Sequence, residues 1–240
     1  MTTLPRAVMV AVDFGQASAR AVALAGVIVD RCRTGTLRLL HAEALDAPVY
    51  FTAEQIEGLE QQRRRLRGQA EQFLSRFGRQ HTRMPFSTAL DDRTPVEAIL
   101  HESATSDLVV MGTHGRHGPK HWWLGSVAER VLGAVARPLL IVRGDENLPV
   151  LSTFDRVVVH ASAPLSGEHA LSFAHSVTSC FGGEVIDARR DVLQPAVANA
   201  RATLLVVAAP QPRSRLWLFN HGEPLVQHSA VPILFVPEVT

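Results

Sequence analysis

Short apolar runs of strand length alternate along the chain with longer segments of helical period, the pattern of βαβ units around a parallel sheet. Ala7–Val12 reads as a buried first strand. In Ala17–Thr34, residues Ala21, Leu24, Ala25, Ile28, Val29 and Cys32 fall on one helical stripe, and Gly35 stands where a left-handed C-terminal cap is expected. Leu37–Ala42 reads as the second strand. Ala53–Arg79 is a long helix with Ile56, Leu59, Leu66, Ala70, Phe73 and Phe77 on one face, leaving Arg63, Arg64, Arg65 and Arg67 mostly on a solvated one. Pro85–Leu90 gives a third strand, Pro95 opens a helix to about Ala104, and Leu108–Met111 is a short, wholly apolar strand. After a glycine-rich loop a helix resumes near Ser126, and Pro138 stops it before the strand Leu139–Val142.

From Asp155 the pattern restarts. Arg156–Ala161 echoes Ala7–Val12, Ala170–Ala174 echoes Ala21–Ala25, Leu204–Ala208 echoes Leu108–Met111, and Val231–Val236 echoes Arg137–Val142. Such an internal repeat predicts two units, 1–145 and 153–240, joined by Gly144–Asn147 and Pro149. The second unit is truncated, because nothing in it corresponds to the long Arg-bearing helix and the third strand. The expected fold class is α/β, with two fused doubly wound parallel-sheet units. Ligands of such sheets bind at the carboxyl ends of the strands, near the topological switch. Pairing of Leu139–Val142 with Ile233–Val236 inside one chain is expected to cover two sheet edges and make the chain an intramolecular pseudo-dimer, with room for a homodimer of such chains.

Composition narrows the partners. With 240 residues, 24 Lys plus Arg and 23 Asp plus Glu, the chain has no global field to draw it onto nucleic acid or an anionic membrane. Nothing approaches the ~18 apolar residues of a membrane span or the layout of a secretory signal, so cytoplasmic residence is the default expectation. The two cysteines, Cys32 and Cys180, sit inside apolar helical patterns, as buried thiols of a reducing compartment do.

The stretch that carries chemistry is Met111-Gly112-Thr113-His114-Gly115, nine residues from Arg116 to Leu124, then Gly125-Ser126-Val127. A loop leaving a parallel strand for a helix presents free N–H groups and the positive end of the helix dipole, which suits an anion. Gly112 and Gly115 permit close backbone approach, and the Ser126 hydroxyl is available as a cap or a phosphate donor. By spacing alone, two glycines three apart also fit an ordinary turn. Asp13, at the end of the first strand, can accept a hydrogen bond from an exocyclic amine or ribose hydroxyl, or serve as a turn or helix N-cap residue. His114, Arg116, His117, Lys120 and His121 offer cationic contacts to a polyphosphate. The histidines lack a carboxylate or Cys to complete a metal site, and Trp122-Trp123 suits packing.

Gly-x-x-Gly, nine residues and Gly-Ser, set between an apolar strand and a helix that ends before Pro138 and another apolar strand, resembles the ATP-binding signature of the universal stress proteins. Val10-Ala11-Val12-Asp13 and Leu39-Leu40-His41-Ala42 resemble that family's first two strands, so the likeness covers the whole first unit. It implies an adenine nucleotide α-hydrolase-like, Rossmann-like fold, with adenine held near Asp13 and the backbone of Ala42. It further implies phosphates and ribose along Met111, Gly112, Gly115, Arg116, Gly125, Ser126 and Val127. In the second unit Ser162 stands for Asp13, and Ala209 and Pro212 for the two glycines, so one nucleotide site per chain is expected.

No nucleophilic or metal-assisted arrangement stands out. Ser126 has no identifiable base, Asp91-Asp92 reads as a polar turn, and the Walker pattern is absent. The leading expectation is a regulatory stress-response protein that binds ATP, alone or with Mg2+, hydrolyses it slowly at most, and acts on an unidentified protein partner. The alternative is a scaffold that binds no nucleotide and works through protein contacts. An adenylating α-hydrolase-type enzyme fits less well, because Asp13-Phe14-Gly15-Gln16-Ala17-Ser18 does not match the Ser-Gly-Gly-x-Asp-Ser-like loop of such enzymes.

Overall fold

The computed structural model describes residues 4–33, 35–42, 53–113, 125–144, 148–161, 166–191, 193, 197, 200–211, 213–214 and 217–239. In chain order the elements are β1 (Ala7–Ala11), α1 (Gln16–Cys32), β2 (Thr36–Ala42), α2 (Ala53–His81), β3 (Phe86–Asp91), α3 (Pro95–Ser103), β4 (Leu108–Gly112), α4 (Ser126–Ala134) and β5 (Leu139–Val142). A 3₁₀ turn at Val150–Ser152 precedes β6 (Arg156–Ala161), α5 (Glu168–Ser179), β7 (Glu184–Asp187), β8 (Leu204–Gln211), a π-turn at Leu218–Gly222 running into α6 (Glu223–His228), and β9 (Ile233–Val239).

The described strands form one sheet in the order β3-β2-β1-β4-β5-β9-β8-β6-β7. Every neighbouring pair is parallel except β5 with β9, which run antiparallel with Leu139 opposite Phe235, Leu140 opposite Leu234 and Ile141 opposite Ile233. The fold is therefore α/β with a mostly parallel sheet, and the edge pairing expected from the sequence is present.

Parallel strands buried on both faces need continuous apolar runs, and the period of two sends alternate residues to opposite sides. Val8 and Val10 pack with Leu24, Ile28, Leu74 and Phe77 from α1 and α2. Met9 packs on the other face with Ile99 of α3 and Val131 of α4. Each apolar cluster continues past the β5–β9 contact, reaching Val157, Phe173 and Val206 on one face and Val158, Val207 and Phe235 on the other. No helix among the described residues is long and apolar enough to cross a membrane.

Two local expectations change. The left-handed cap of α1 is Arg33, at φ 49°, rather than Gly35. Gly35 also has a positive φ of 72°, but its role is a close approach: a Cβ there would lie 1.4 Å from the Arg6 carbonyl oxygen. The apolar face of α2 is only partly buried, with Leu74 and Phe77 inside and Leu66 and Phe73 50% and 46% exposed. The C-terminal turns of α2 meet the sheet, where Gly78 lets Phe86 and Leu39 approach the helix backbone.

One tether across the β5–β9 contact was not singled out by the sequence reading. Arg213, after β8, is 7% exposed, and its Nη1 donates to the carbonyls of Leu132 at 2.8 Å and Val135 at 2.7 Å. These carbonyls end α4, the negative pole of the helix, so a cation from beyond β8 caps a helix from before β5. Burial pulls the guanidinium pKa down to about 10, which leaves it charged at neutral pH. Arg213→Met, which keeps apolar bulk but removes both donors, is expected to lower unfolding free energy by about 1–3 kcal/mol in urea denaturation. An unchanged midpoint would show that the cap contributes nothing.

His160 on β6 gives a pH prediction. Burial lowers its pKa below the usual value of 6.5, with a backbone bond to Ala188 opposing and the charge of His221 adding. Because the unfolded chain takes up this proton at higher pH than the folded one, the His160 contribution is intact above about pH 6.5 and is lost as pH falls through the lower folded value. His160→Gln should therefore show a shallower loss of stability than the wild type on acidification from pH 7 to about pH 5; parallel curves would refute the assignment.

Candidate functional site

The strand order turns at β1, which has β2 on one side and β4 on the other: Val10 lies opposite Leu39 and opposite Val110. Chains that leave the carboxyl ends of β1 and β4 diverge from this point, which is where an open parallel sheet forms its crevice. Asp13 follows β1, Ala42 ends β2, and Met111 and Gly112 end β4, so four of the predicted site residues share this rim.

Asp13 is first of all a turn residue. Its Oδ1 accepts from the Gly15 N–H at 2.8 Å and from the Ser18 hydroxyl at 2.6 Å. Both bonds fall on one oxygen, and the group is only partly buried, so Oδ2 keeps its lone pairs for another donor. Phe14 next to it adopts a left-handed backbone, φ 63°, a conformation that costs a bulky residue about 1–3 kcal/mol. The ring is held by His41 at 4.5 Å, Phe73 at 4.6 Å and Phe77 at 5.4 Å between centroids. His41 Nδ1 in turn donates to the Val12 carbonyl at 2.7 Å, locking the end of β2 to the end of β1. Nothing in the sequence announces the Phe14 conformation; the aromatic clasp that holds it comes from two other elements, β2 and α2.

Gly112 is needed for packing rather than for an unusual φ. A Cβ at this position would lie 2.6 Å from the Ala17 Cβ and 3.2 Å from the Ala17 carbonyl carbon. Gly144, just past β5, is pressed against the same turn, with the Ala17 nitrogen 3.0 Å from where its Cβ would stand. The first turn of α1 thus sits on the ends of β4 and β5, bringing the Asp13 turn and the glycine loop against one wall.

The glycine loop closes on itself. Buried Thr113 donates its N–H to the Val142 carbonyl at 2.9 Å, and its own carbonyl accepts from the Gly125 N–H at 2.8 Å. Gly125 is the N-cap of α4 in an extended conformation, φ −61° and ψ 147°, with no side-chain capping bond. The N–H groups of Ser126, Val127 and Ala128 open the helix, and the first intrahelical bond runs from the Glu129 N–H to the Gly125 carbonyl. Ser126 is exposed and Val127 half-buried. Gly115 and Arg116, with His114, His117, Lys120, His121, Trp122 and Trp123, lie outside the described residues, as do Ser162 and Pro212 of the second half.

The corresponding region of the second half is built differently. Where β4 stops at Gly112, β8 continues through Ala209 and Pro210 to Gln211, paired with Pro237, Glu238 and Val239 of β9. The start of α5 is occupied by the protein's own carboxylate, buried Glu238 accepting from the Ala170 N–H at 2.6 Å. A separate cavity of about 630 Å³ lies over β6 and β8 between Leu193, Val197, Leu205 and Leu225, with His160 and His221 in its wall. It shares no residue with the predicted site.

Gly112→Ala is expected to push the first turn of α1 off the sheet and cost about 1–3 kcal/mol in denaturant unfolding, the usual range for overpacking. A neutral substitution would mean that the α1 contact yields without cost.

No curated protein matches the chain. Among solved structures, a universal stress protein from Archaeoglobus fulgidus DSM 4304 is similar at 18% identity and TM-score 0.64, with 98% of this chain and 97% of that one covered. A functionally unknown protein from Pseudomonas aeruginosa PAO1 is similar at 15% identity and TM-score 0.55, covering 97% and 92%. A putative universal stress protein from Pseudomonas aeruginosa UCBPP-PA14 has 14% identity and TM-score 0.55, covering 97% and 93%. At these identities the likeness speaks for the fold. The sequence profile described as the Universal stress protein family matches residues 5–143, from the strand before Asp13 to the one that follows the glycine loop, and the chain belongs to that family.

Proposed function

We propose that this chain is a regulatory protein of the stress response that binds ATP at the carboxyl ends of β1 and β4, and that it consists of two fused units of which only the first holds nucleotide. The observation that carries the reading is the start of α4. Consecutive N–H groups at Ser126, Val127 and Ala128, which no described side chain caps, follow Gly125, whose own N–H bonds the Thr113 carbonyl just past the end of β4. Such an end attracts a phosphate chain through its amides and its dipole. At the ends of β1 and β2, Asp13 Oδ2 and the backbone of half-buried Ala42 suit the polar edge of a nucleoside. Family membership supports the stress-response role.

The two-unit reading is supported by the strand order, 3-2-1-4-5 on one side of the antiparallel contact and 9-8-6-7 on the other. Restriction to one site is supported by the longer β8 and by Glu238 at the start of α5. Occupancy of the crevice by nucleotide would alter the surface offered to a protein partner. Magnesium would join through the phosphates rather than through a protein cage.

The test uses Ser126, the first residue of α4. Proline is tolerated at that position, and Gly125 before it already has the extended conformation that proline demands. Ser126→Pro therefore removes the N–H and the hydroxyl while leaving the helix, and Ser126→Ala removes the hydroxyl alone. In equilibrium dialysis with ATP the proline variant is expected to bind about tenfold or more weakly, as loss of a charge-assisted bond implies, with the alanine variant in between. Wild-type protein that takes up no added ATP, and releases none on gentle denaturation, would instead identify a scaffold that works without nucleotide.

A further inference from the structure

In the two-unit reading β4 and β8 occupy equivalent places, because Leu108 lies opposite Val8 of β1 and Leu204 opposite Val157 of β6. Leu205 is then the counterpart of Val109. The two are covered unequally. Val109 is fully buried in one cluster with Ile99 of α3 and Val131 of α4, helices of nine residues each. Over Leu205 the cover is α6, with six residues, and the cavity of about 630 Å³ opens between Leu225 of that helix and Leu193 and Val197. Leu193, Val197, Ala202, Leu225 and Val231 line it and are each only half-buried. Arg201, Asn220 and His221 also line it and are exposed. We propose that this cavity is a second ligand site, which takes a small monocarboxylate with an apolar body: the body lies on Leu205 and Leu225, and the carboxylate meets Arg201.

Charge decides the class of ligand. No Asp or Glu stands among the described lining residues, whereas Arg201 is a permanent cation, so the mouth favours an anion. Arg201 has no ion pair or side-chain hydrogen bond among the described residues, which leaves its planar fork to a carboxylate. Its backbone is left-handed, φ 48°, a conformation that non-glycine residues hold at ligand clamps more often than elsewhere. Apolar side chains left half-bare around a concave space are what the body of a ligand covers, and the volume falls within the range of about 300–1,000 Å³ usual for small-molecule sites. His160 lines the same cavity from β6, opposite Val207 of β8, at the position that Ala11 holds on β1. Burial lowers its pKa below the usual 6.5, so at neutral pH the ring adds no charge to the interior. The fixed positive charge among the described lining residues is thus at the rim, which orients a ligand with its body inward and its head outward. The site shares no residue with the crevice at β1 and β4 and stands apart from the nucleotide reading.

Full-length protein is titrated calorimetrically with octanoate, beside acetate, which has the head without the body, and 1-octanol, which has the body without the head. Octanoate is expected to saturate one site per chain and to bind about tenfold or more tightly than either control. Arg201→Gln should weaken octanoate about tenfold, as loss of a charge-assisted contact implies, and leave 1-octanol unchanged. Ala202→Trp, which puts an indole into the cavity, should abolish binding of both, with circular dichroism and the denaturation midpoint reporting whether the fold is kept. Arg201 is exposed, so its variant decides the matter even where the tryptophan variant does not fold. The proposal is overturned if octanoate does not bind, if it binds no better than 1-octanol, or if Arg201→Gln binds it as tightly as the wild type.

Discussion

The antiparallel pairing of β5 with β9 is the contact on which the rest of the molecule depends. β5 is Leu139-Leu140-Ile141-Val142, with every residue buried. Left as an edge, it would present an unpaired row of backbone donors and acceptors flanked by bare apolar side chains, the arrangement that leads to edge-to-edge aggregation. A second parallel strand there would require a further crossover helix. The chain instead supplies β9 from its C-terminal part, which needs no such crossover from β5 and lets each face of the sheet keep one continuous apolar layer. Once this pairing is made, Arg213 falls within reach of the last turn of α4, and the ends of α1 and α5 share one cluster. Burial of the charge at Arg213 is offset in part by the two carbonyls that Nη1 meets, while Nε and Nη2 have no partner among the described residues.

A second constraint shapes the site. The first turn of α1 is seated on Gly112 and Gly144, which forces the chain between β1 and α1 to turn within Asp13-Phe14-Gly15. That turn is made by a left-handed Phe14, held by the aromatic clasp and by two bonds to Asp13 Oδ1. The strain and its compensation are both local to the crevice, and a rigid rim of this kind pre-organises contacts before any ligand arrives.

Much of the fold was legible in the sequence because parallel strands and amphipathic helices leave periodic traces. The strand starting at Leu108 and the helix starting at Ser126 fall where the pattern puts them, since a buried apolar run and a glycine–serine entry have few other uses. The order of the candidate residues along the fold was legible: Ala42 ends β2, Gly112 ends β4, Ser126 begins α4, and Asp13 lies in the turn between β1 and α1. What could not be read depends on contacts between distant segments. The packing role of Gly112 requires knowing that Ala17 sits above it. The conformation of Phe14 depends on His41, Phe73 and Phe77 arriving from two other elements, and Arg213 looks like any loop arginine until α4 ends beside it. The exposure of Leu66 and Phe73 was misjudged for the converse reason: period marks an apolar face but not how far the neighbouring sheet extends beneath it.

The same physics accounts for the unequal halves in the proposed two-unit reading. A strand that must cover β5, and a cation that must cap α4, constrain β8, β9 and Arg213 whatever becomes of a ligand site. In the second half, where Ala209 stands in place of Gly112 in that reading, β8 runs on to Gln211 and Glu238 sits at the start of α5. Each of these features adds paired backbone or a charge–dipole contact. The first half shows the opposite arrangement: β4 stops at Gly112, and no described side chain caps the start of α4, which leaves its amides and its dipole to a ligand in the proposed reading.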